Sequence, residues 1–432
     1  MRVLIVGAGA REHALAWTLA RESAVAEVVV TPGNAGLARV ARTVNRNVSD
    51  PASLLAVAEQ ERIDLTIVGP EQPLERGVVD LFASRGRRIF GPSRDAARLE
   101  TSKVFAKQFM ERLHVPTARC RVADNAGDAL AIAASGELGW PLVVKADGLA
   151  AGKGVVIADD LTEAEGAIRA AMLDRRFGDA GIRLVLEECM RGPEASFFAI
   201  CDGRTALPLI SAQDHKRAYD DDRGPNTGGM GALAPSPLVT QGMADRVMRE
   251  IVVPIVDGMR EEGHEYRGIL YAGLMLTDDG PRVVEFNVRF GDPEAQVILP
   301  LLESELAPVL AAAADGDLGG STCRFSDGAA VGVVLASGGY PGDIRTGCPI
   351  EGLEAADALP GVVIFHAGTA ERDGRLVTSG GRVLTAVGRG ATYADAIARA
   401  YEGVSRISFA DVQYRSDIGR RALAFEKGLA CP

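Results

Sequence analysis

The strongest constraint on this chain lies in its first hundred residues, where short apolar runs alternate with helical patterns. The runs are RVLIVG from Arg2, EVVVT from Glu27, IDLTIVG from Ile63 and RRIFG from Arg87, with helical periodicity at 11–21 and 74–84. Strands spaced by helices are joined by right-handed crossovers and lie parallel in one sheet. The pattern therefore predicts a Rossmann-like domain over residues 1–100.

The rest of the chain changes character. A second region, 101–318, contains a small α+β unit at about 115–191: PLVVKADGLAAGKGVVIA reads as two strands around a glycine-rich connection. A helix then opens on a capping box of Thr162 and Glu165, and the strand RLVLEEC follows. Further strands are expected at ASFFAIC, ILYAGLMLT and PRVVEFNVRF, with a helix at 241–262 and a hairpin turn at Asp278-Asp279-Gly280. DGDLGGS from Asp315 reads as a linker. A C-terminal α+β cap, 327–432, carries strands at AAVGVVLAS, VVIFHAG and GRVLTAVG and a helix opened by Thr392 and Asp395. The fold class is thus α/β and α+β multidomain.

Composition excludes several functions. Of 432 residues 47% are apolar, and the charge balance is 47 − 58 = −11, which argues against a nucleic-acid or anionic-membrane surface. No stretch reaches the roughly 18 apolar residues of a membrane span, and the start lacks a signal or transit pattern. The cysteines (Cys120, Cys189, Cys201, Cys323, Cys348, Cys431) form no C-x-x-C pair, which argues against zinc and for reduced thiols in a cytoplasm.

Five motifs carry candidate chemistry. GAGAREHA, at Gly7, sits between strand and helix, where backbone amides attract phosphate. It is not a dinucleotide fingerprint, because Glu12 takes the third glycine position and no carboxylate ends the second strand. A phosphate site and a bare tight turn both remain open. KADGLAAGKG is not a P-loop either, since three residues rather than four separate Gly148 from Gly152-Lys153 and Gly154 replaces the hydroxyl residue. It is a glycine flap over a triphosphate, with Lys145 as a point charge on the phosphates, or a flexible hairpin. VLEECMRGPE ends an apolar strand in Glu187 and Glu188; it suits a purine pocket, although alone it reads better as a solvated acidic strand end.

QDHKRAYDDDRGPNTGGMG, from Gln213, is a long loop without apolar periodicity, charged first and then glycine-rich, with four glycines between 224 and 231. Such loops inside compact domains are functional or disordered, and the glycines favour close approach to a small substrate. Finally, in VVEFNVRFGDPE the two-residue period of a strand places Glu285, Asn287 and Arg289 on one face. A carboxylate with an amide oxygen suits magnesium that keeps waters and phosphate oxygens as further ligands. The planar fork of Arg289 suits a carboxylate or phosphate.

Together these motifs resemble the ATP-grasp superfamily and, more closely, its phosphoribosylamine–glycine ligase (glycinamide ribonucleotide synthetase) family. The likeness runs end to end, through GAGAREHALAW, TPGNAG, IVGPEQPL, KADGLAAGKGV, QDHKRAYDDDRGPNTGGMGALAP, LYAGLMLTDDGPRVVEFNVRFGDPE, GGYPGDIRTG and FHAGT. Ala10, Leu233-Ala234 and Asp221 depart from the expected glycine, Tyr-Ser and glycine.

The resemblance implies an N-terminal domain, a mobile lid, an ATP-grasp domain and a cap, with ATP as substrate between lid and centre. It implies that Lys103, Lys145, Gly148, Gly152, Lys153 and Gly154 meet the phosphates. Glu187, Glu188 and Cys189 would border the adenine, and Glu194 the ribose. Magnesium or manganese would lie on Glu285 and Asn287. Asp214, Lys216 and Arg289, with Asn226, Thr227, Gly228, Gly229, Gly231 and Asp292, would position glycine and its acyl phosphate as the catalytic and substrate-binding set. Gly9, Arg11 and Glu12 would lie near 5-phosphoribosylamine. The implied reaction activates glycine as glycyl phosphate, in a cytoplasmic monomer of de novo purine biosynthesis. Another ATP-grasp carboxylate–amine ligase, a nicotinamide oxidoreductase and a non-catalytic nucleotide sensor are the alternatives.

Overall fold

The computed structural model describes residues 1–149 and 154–426. Five strands, β1 (Arg2–Gly7), β2 (Glu27–Pro32), β3 (Arg42–Thr43), β4 (Leu65–Val68) and β5 (Ile89–Phe90), form a parallel sheet ordered β3-β2-β1-β4-β5. Val3 to Val6 are completely buried, as expected of a strand covered on both faces. The order reverses between β1 and β4, which opens a crevice at the carboxyl ends of these strands, a usual place for ligands. The single helix expected at 74–84 is two, Glu71–Glu75 and Val78–Ser84, because Gly77 takes a left-handed conformation with φ 77°. A helix at Pro51–Gln60, not anticipated above, starts from the Asp50 cap and Pro51.

The small unit is an antiparallel sheet ordered β6-β9-β7-β8, from β6 (Cys120–Ala123), β7 (Leu142–Ala146), β8 (Val155–Ala158) and β9 (Leu184–Glu188). Helices Ala126–Ser135 and Leu161–Ile168 bury Ala129 and Ile168 against Leu142, Val144 and Leu186. The expected Thr162 cap is corrected: Asp160 caps this helix, accepting from the Glu163 amide at 2.9 Å, while Glu163 reaches back to the Asp159 amide. Asp160 has the extended backbone a cap needs, whereas Thr162 is already helical.

Next come β10 (Glu194–Asp202) and β11 (Ala206–Pro208). The long segment from Gln213 is not structureless: it forms β12 (Gln213–Asp214), β13 (Arg217–Tyr219), β14 (Arg223–Asn226) and β15 (Gly231–Ala234). β13 and β14 make a ribbon whose tip holds Asp221 and Asp222 left-handed, at φ 58° and 52°. Aspartate tolerates that region better than most residues. The strands, of two to four residues, are too short to print an apolar period, and only β15 is fully buried. The helical stretch 241–261 follows, interrupted by a wide π-turn at Met248–Val252 beside Pro254. Then β16 (Arg267–Thr277) and β17 (Gly280–Asn287) form the expected hairpin and complete a sheet ordered β11-β10-β16-β17.

The C-terminal strands are β18 (Ala329–Ala336), β19 (Val362–His366), β20 (Thr369–Arg372), β21 (Arg375–Thr378) and β22 (Arg382–Gly390). The hairpin β20–β21 was not expected. Helix Tyr393–Arg406, capped by Thr392, lays Ala396, Ala400 and Val404 on β18 and β22. One sheet is ordered β12-β15-β18-β22-β19, so two strands of the 213–234 segment belong to the same sheet as the C-terminal strands. Among the described residues no helix is long and apolar enough to cross a membrane.

Candidate active site

A cavity of about 690 Å³ opens where the parallel sheet, the small unit, β17 and the 213–231 segment meet. Its floor is β17. The two-residue period turns Glu285 and Asn287 into the cavity, and Phe286 lies buried in the core behind them. No described residue bonds or pairs with the Glu285 carboxylate. Burial would raise its pKa, but Lys216, Lys103, Lys145 and Arg289 hold it below the ordinary value. The described residues contain no cluster of three metal-ligating side chains. One carboxylate and one amide oxygen match a magnesium ion that takes its other ligands from phosphates and water.

Arg289 lies just past the strand. Its Nη2 donates to Glu100 Oε1 at 2.9 Å and to Asn287 Oδ1 at 3.1 Å, and its Nε is 3.4 Å from Glu71 Oε2. The fork expected to grip a substrate anion is therefore engaged by the protein's own carboxylates. Arg289 lines the cavity, and its Nη1 donates to the Phe290 carbonyl at 3.2 Å.

On the lid side Lys145, Lys107 and Glu187 are buried together. Glu187 Oε2 is 2.8 Å from Lys145 Nζ, and its Oε1 is 3.2 Å from Lys107 Nζ, an ion-pair distance without hydrogen-bond geometry. Lys145 also donates to the Val284 carbonyl and Lys107 to Thr117 Oγ1. Lys103 begins a helix capped by Ser102 and faces the cavity with Gly154. Gly148 packs against Ala180, and Gly152 and Lys153 lie outside the described residues.

The Glu188 side chain does not border the cavity. Strand alternation points it away from Glu187, to Arg119 at 2.7 Å and Arg282 at 2.6 Å. Burial works against ionisation, but the Arg119 amide and both guanidinium groups hold its pKa at about 2. Cys189 is half-buried and does not line the cavity; burial pushes its thiol up.

On the opposite wall Asp214 and Lys216 face the cavity. Lys216 Nζ binds Glu194 Oε2 at 2.7 Å. The Asp214 side chain accepts no hydrogen bond from a described residue. Burial, with Glu294, Glu194 and Glu285 adding to it against Lys216, pushes its pKa up to about 7. Thr227 and Gly228 border the cavity, and the Gly229 amide donates to Thr227 Oγ1. Asn226 and Gly231 do not border it: Asn226 is exposed, and Gly231 lies buried, with a Cβ there reaching 2.6 Å from the Gly332 carbonyl. That glycine serves strand packing.

At the parallel sheet the Gly9 amide donates to Glu12 Oε2 at 2.6 Å, and Arg11 Nε donates to Glu12 Oε1 at 2.6 Å. A side chain at Gly7 or Gly69 would run into Glu12. The Gly9 amide at this helix start is thus met by the chain's own Glu12 carboxylate. Arg11 still reaches the cavity, as does Asp292, which pairs with Arg382 at 3.3 Å.

Sequence reading missed Glu71, Glu100, Lys107, Tyr271, Glu294 and Arg382, all of which line the cavity. Tyr271 donates to Glu294 Oε1 at 2.6 Å, and Ser196 completes that buried network. Glu71 and Glu294 sit inside quoted motifs and were within reach. Lys107 and Glu100 lie in helices with no local signature.

The chain matches the family models of the phosphoribosylglycinamide synthetase N domain over residues 1–100, its ATP-grasp (A) domain over 101–295 and its C domain over 330–421. It is 50% identical to a phosphoribosylamine–glycine ligase of Brucella melitensis over 99% of each chain, and 51% identical to one of Pseudomonas aeruginosa over 99% of this chain and all of that one. A crystal structure of phosphoribosylamine–glycine ligase from Thermotoga maritima superposes with a TM-score of 0.85 at 35% identity, covering 96% of this chain and 100% of that chain. The chain belongs to the phosphoribosylglycinamide synthetase family.

Proposed function

We propose that this protein joins glycine to the amine of 5-phosphoribosylamine, converting ATP to ADP and phosphate through glycyl phosphate. The observation that carries this reading is the Glu285–Asn287 face gathered with Lys145 and Lys103 in one cavity, Lys145 donating to the neighbouring Val284 carbonyl at 3.2 Å. A carboxylate is a poor electrophile, because attack would have to expel oxide. Phosphorylation makes phosphate the leaving group, and that transfer needs positioning and charge neutralisation more than covalent help. Magnesium or manganese, held by Glu285 and Asn287, would supply part of that neutralisation.

Lys103 and Lys145 meet the phosphates, and Glu187, already beside Lys145, borders the base. Asp214 and Lys216 hold glycine, while Arg11 and Asp292 bound the phosphoribosylamine side. Holding both reactants in register replaces a bimolecular encounter, an advantage of up to about 10⁵–10⁸ M in effective molarity. Closure of the lid over the cavity protects the acyl phosphate from water. The segments 1–100, 101–318 and 327–432 all contribute to one cavity within one chain, which supports a monomer. The five described cysteines are all free, which supports a cytoplasmic setting.

The test is ADP release. It should require glycine and phosphoribosylamine together, and equal release with another amino acid would redirect the assignment to a different ligase. Glu285→Ala should lower turnover by about 10²-fold or more while circular dichroism stays unchanged. Near-normal ADP release by that variant would remove the metal assignment.

A further inference from the structure

Asp214 and Lys216 flank His215, and the three residues face two ways. Asp214 and Lys216 border the cavity, whereas His215 is buried on the far side against a charged cluster of Arg415, Asp222, Asp417 and Arg421. At the centre of that cluster is Arg415, whose side chain is only 2% exposed. Its Nε and Nη2 each donate to Asp417 at 2.7 Å, and its Nη1 donates to Asp222 Oδ1 at 2.8 Å and to the Arg217 carbonyl at 3.2 Å.

The neighbours of Arg415 grip the same ribbon tip. The Asp221 amide donates to Asp417 Oδ2 at 2.9 Å, the Ser416 amide and hydroxyl both donate to Asp220, and Arg421 pairs with Asp222 at 2.8 Å. The carboxylates of Asp220, Asp221 and Asp222 thus each meet a residue nearly two hundred positions later in the chain, Asp221 through Arg420 at 3.4 Å. At the other end of the segment, Tyr340 and Arg382 hold the Gly228 amide and carbonyl.

We propose that Arg415 is a positioning residue for glycine binding: by anchoring the β13–β14 ribbon, it fixes Asp214 and Lys216 at the cavity wall. The proposal rests on the functional reading above, which assigns glycine to Asp214 and Lys216. Arg415 and Asp417 are buried, and removing one partner of such a pair leaves an uncompensated charge, so the two hold each other and the ribbon in one arrangement. Arg415 itself does not border the cavity, so its effect passes through the ribbon.

Arg415→Ala would strand Asp417 and Asp222 and is a poor test, because it can simply unfold the cap. Asp222→Asn keeps the shape and the Arg415–Asp417 pair but removes the charge on the ribbon side. It should raise the glycine KM by about tenfold while kcat and the ATP KM move by less than about twofold. Amide hydrogen exchange across 213–231 should quicken in the same variant. Arg415→Lys, which keeps charge but loses the fork, should reproduce the defect. Unchanged exchange across 213–231, or faster exchange with an unchanged glycine KM, would overturn the proposal. Exchange needs no substrate, so it judges the clamp even where the wild-type chain releases no glycine-dependent ADP, an outcome that would sink the functional reading instead.

Discussion

The lid and the cap close on the same cavity by opposite means. Among the described residues the polar contacts of the β6–β9 unit with the body include Asp147 with Ser102, Lys103 and Val104, Glu187 with Lys107, Glu188 with Arg282, and Lys145 with the Val284 carbonyl. Its core is built largely of alanines and a few larger residues. The cap shares a sheet with the substrate segment through β15 and β18, and adds the Arg415 cluster and a buried histidine contact, in which the His366 amide donates to His13 Nδ1 at 2.9 Å. Moving the lid breaks a handful of contacts, whereas moving the cap tears a sheet. A ligase that must admit ATP and then exclude water needs one movable wall and one fixed wall.

The comparison would break if the lid contacts proved dispensable. Glu187→Gln leaves Lys145 and Lys107 buried without their countercharge, and breaking such a pair typically costs about 3 kcal/mol or more. The loss should appear as local opening of β7 and β9 in hydrogen exchange, with the cap unaffected; uniform protection would deny the two-wall picture.

Acid should attack the other wall. Burial, with His366 and Arg39 adding to it, pushes His13 down to about 3, and burial with Arg39 pushes His366 down to about 4. Both lie below the unfolded value of about 6.5, so between these limits the unfolded chain binds the extra protons. Their contribution is intact above about pH 6.5 and is lost as pH falls, by roughly 2 kcal/mol each at pH 5. Urea midpoints measured from pH 7 to 5 should fall accordingly, and His13→Asn should flatten the curve. Asp214, held up at about 7, takes up a proton over the same range and opposes the fall, so the reading is the difference between the two curves. Equal slopes in the wild type and His13→Asn would show that the histidine pair does not carry this loss.

The smallest effect sharpens the description of the lid. Asp160→Ala should cost about 1 kcal/mol as a lost helix cap, while Thr162→Ala should stay within about 0.5 kcal/mol. The reverse order in thermal unfolding would restore the Thr162 cap.

Much of the fold was readable. The parallel strands, the β16–β17 hairpin and the Thr392 cap follow from periods of two and from cap residues, which depend on near neighbours. The segment 213–234 was not readable, because its short strands gain their order from distant partners, β15 from β18 and the β13–β14 ribbon from Arg415. The site divides in the same way. Glu285 and Asn287 share a face by strand period alone, but nothing local says that Glu188 turns to Arg119 and Arg282, or that Glu12 caps its own helix.

The amino-acid order by itself determined which side chains stand on one face of β17, which glycines punctuate the strands and which family the motifs match. Only the tertiary structure decided which charges are already spent: Arg289 on Glu100, Glu187 on Lys145 and Lys107, Arg415 on Asp222. Periodicity is a property of adjacent residues, whereas a buried charge takes its partner from whatever the fold brings alongside it, here as far as 193 positions away.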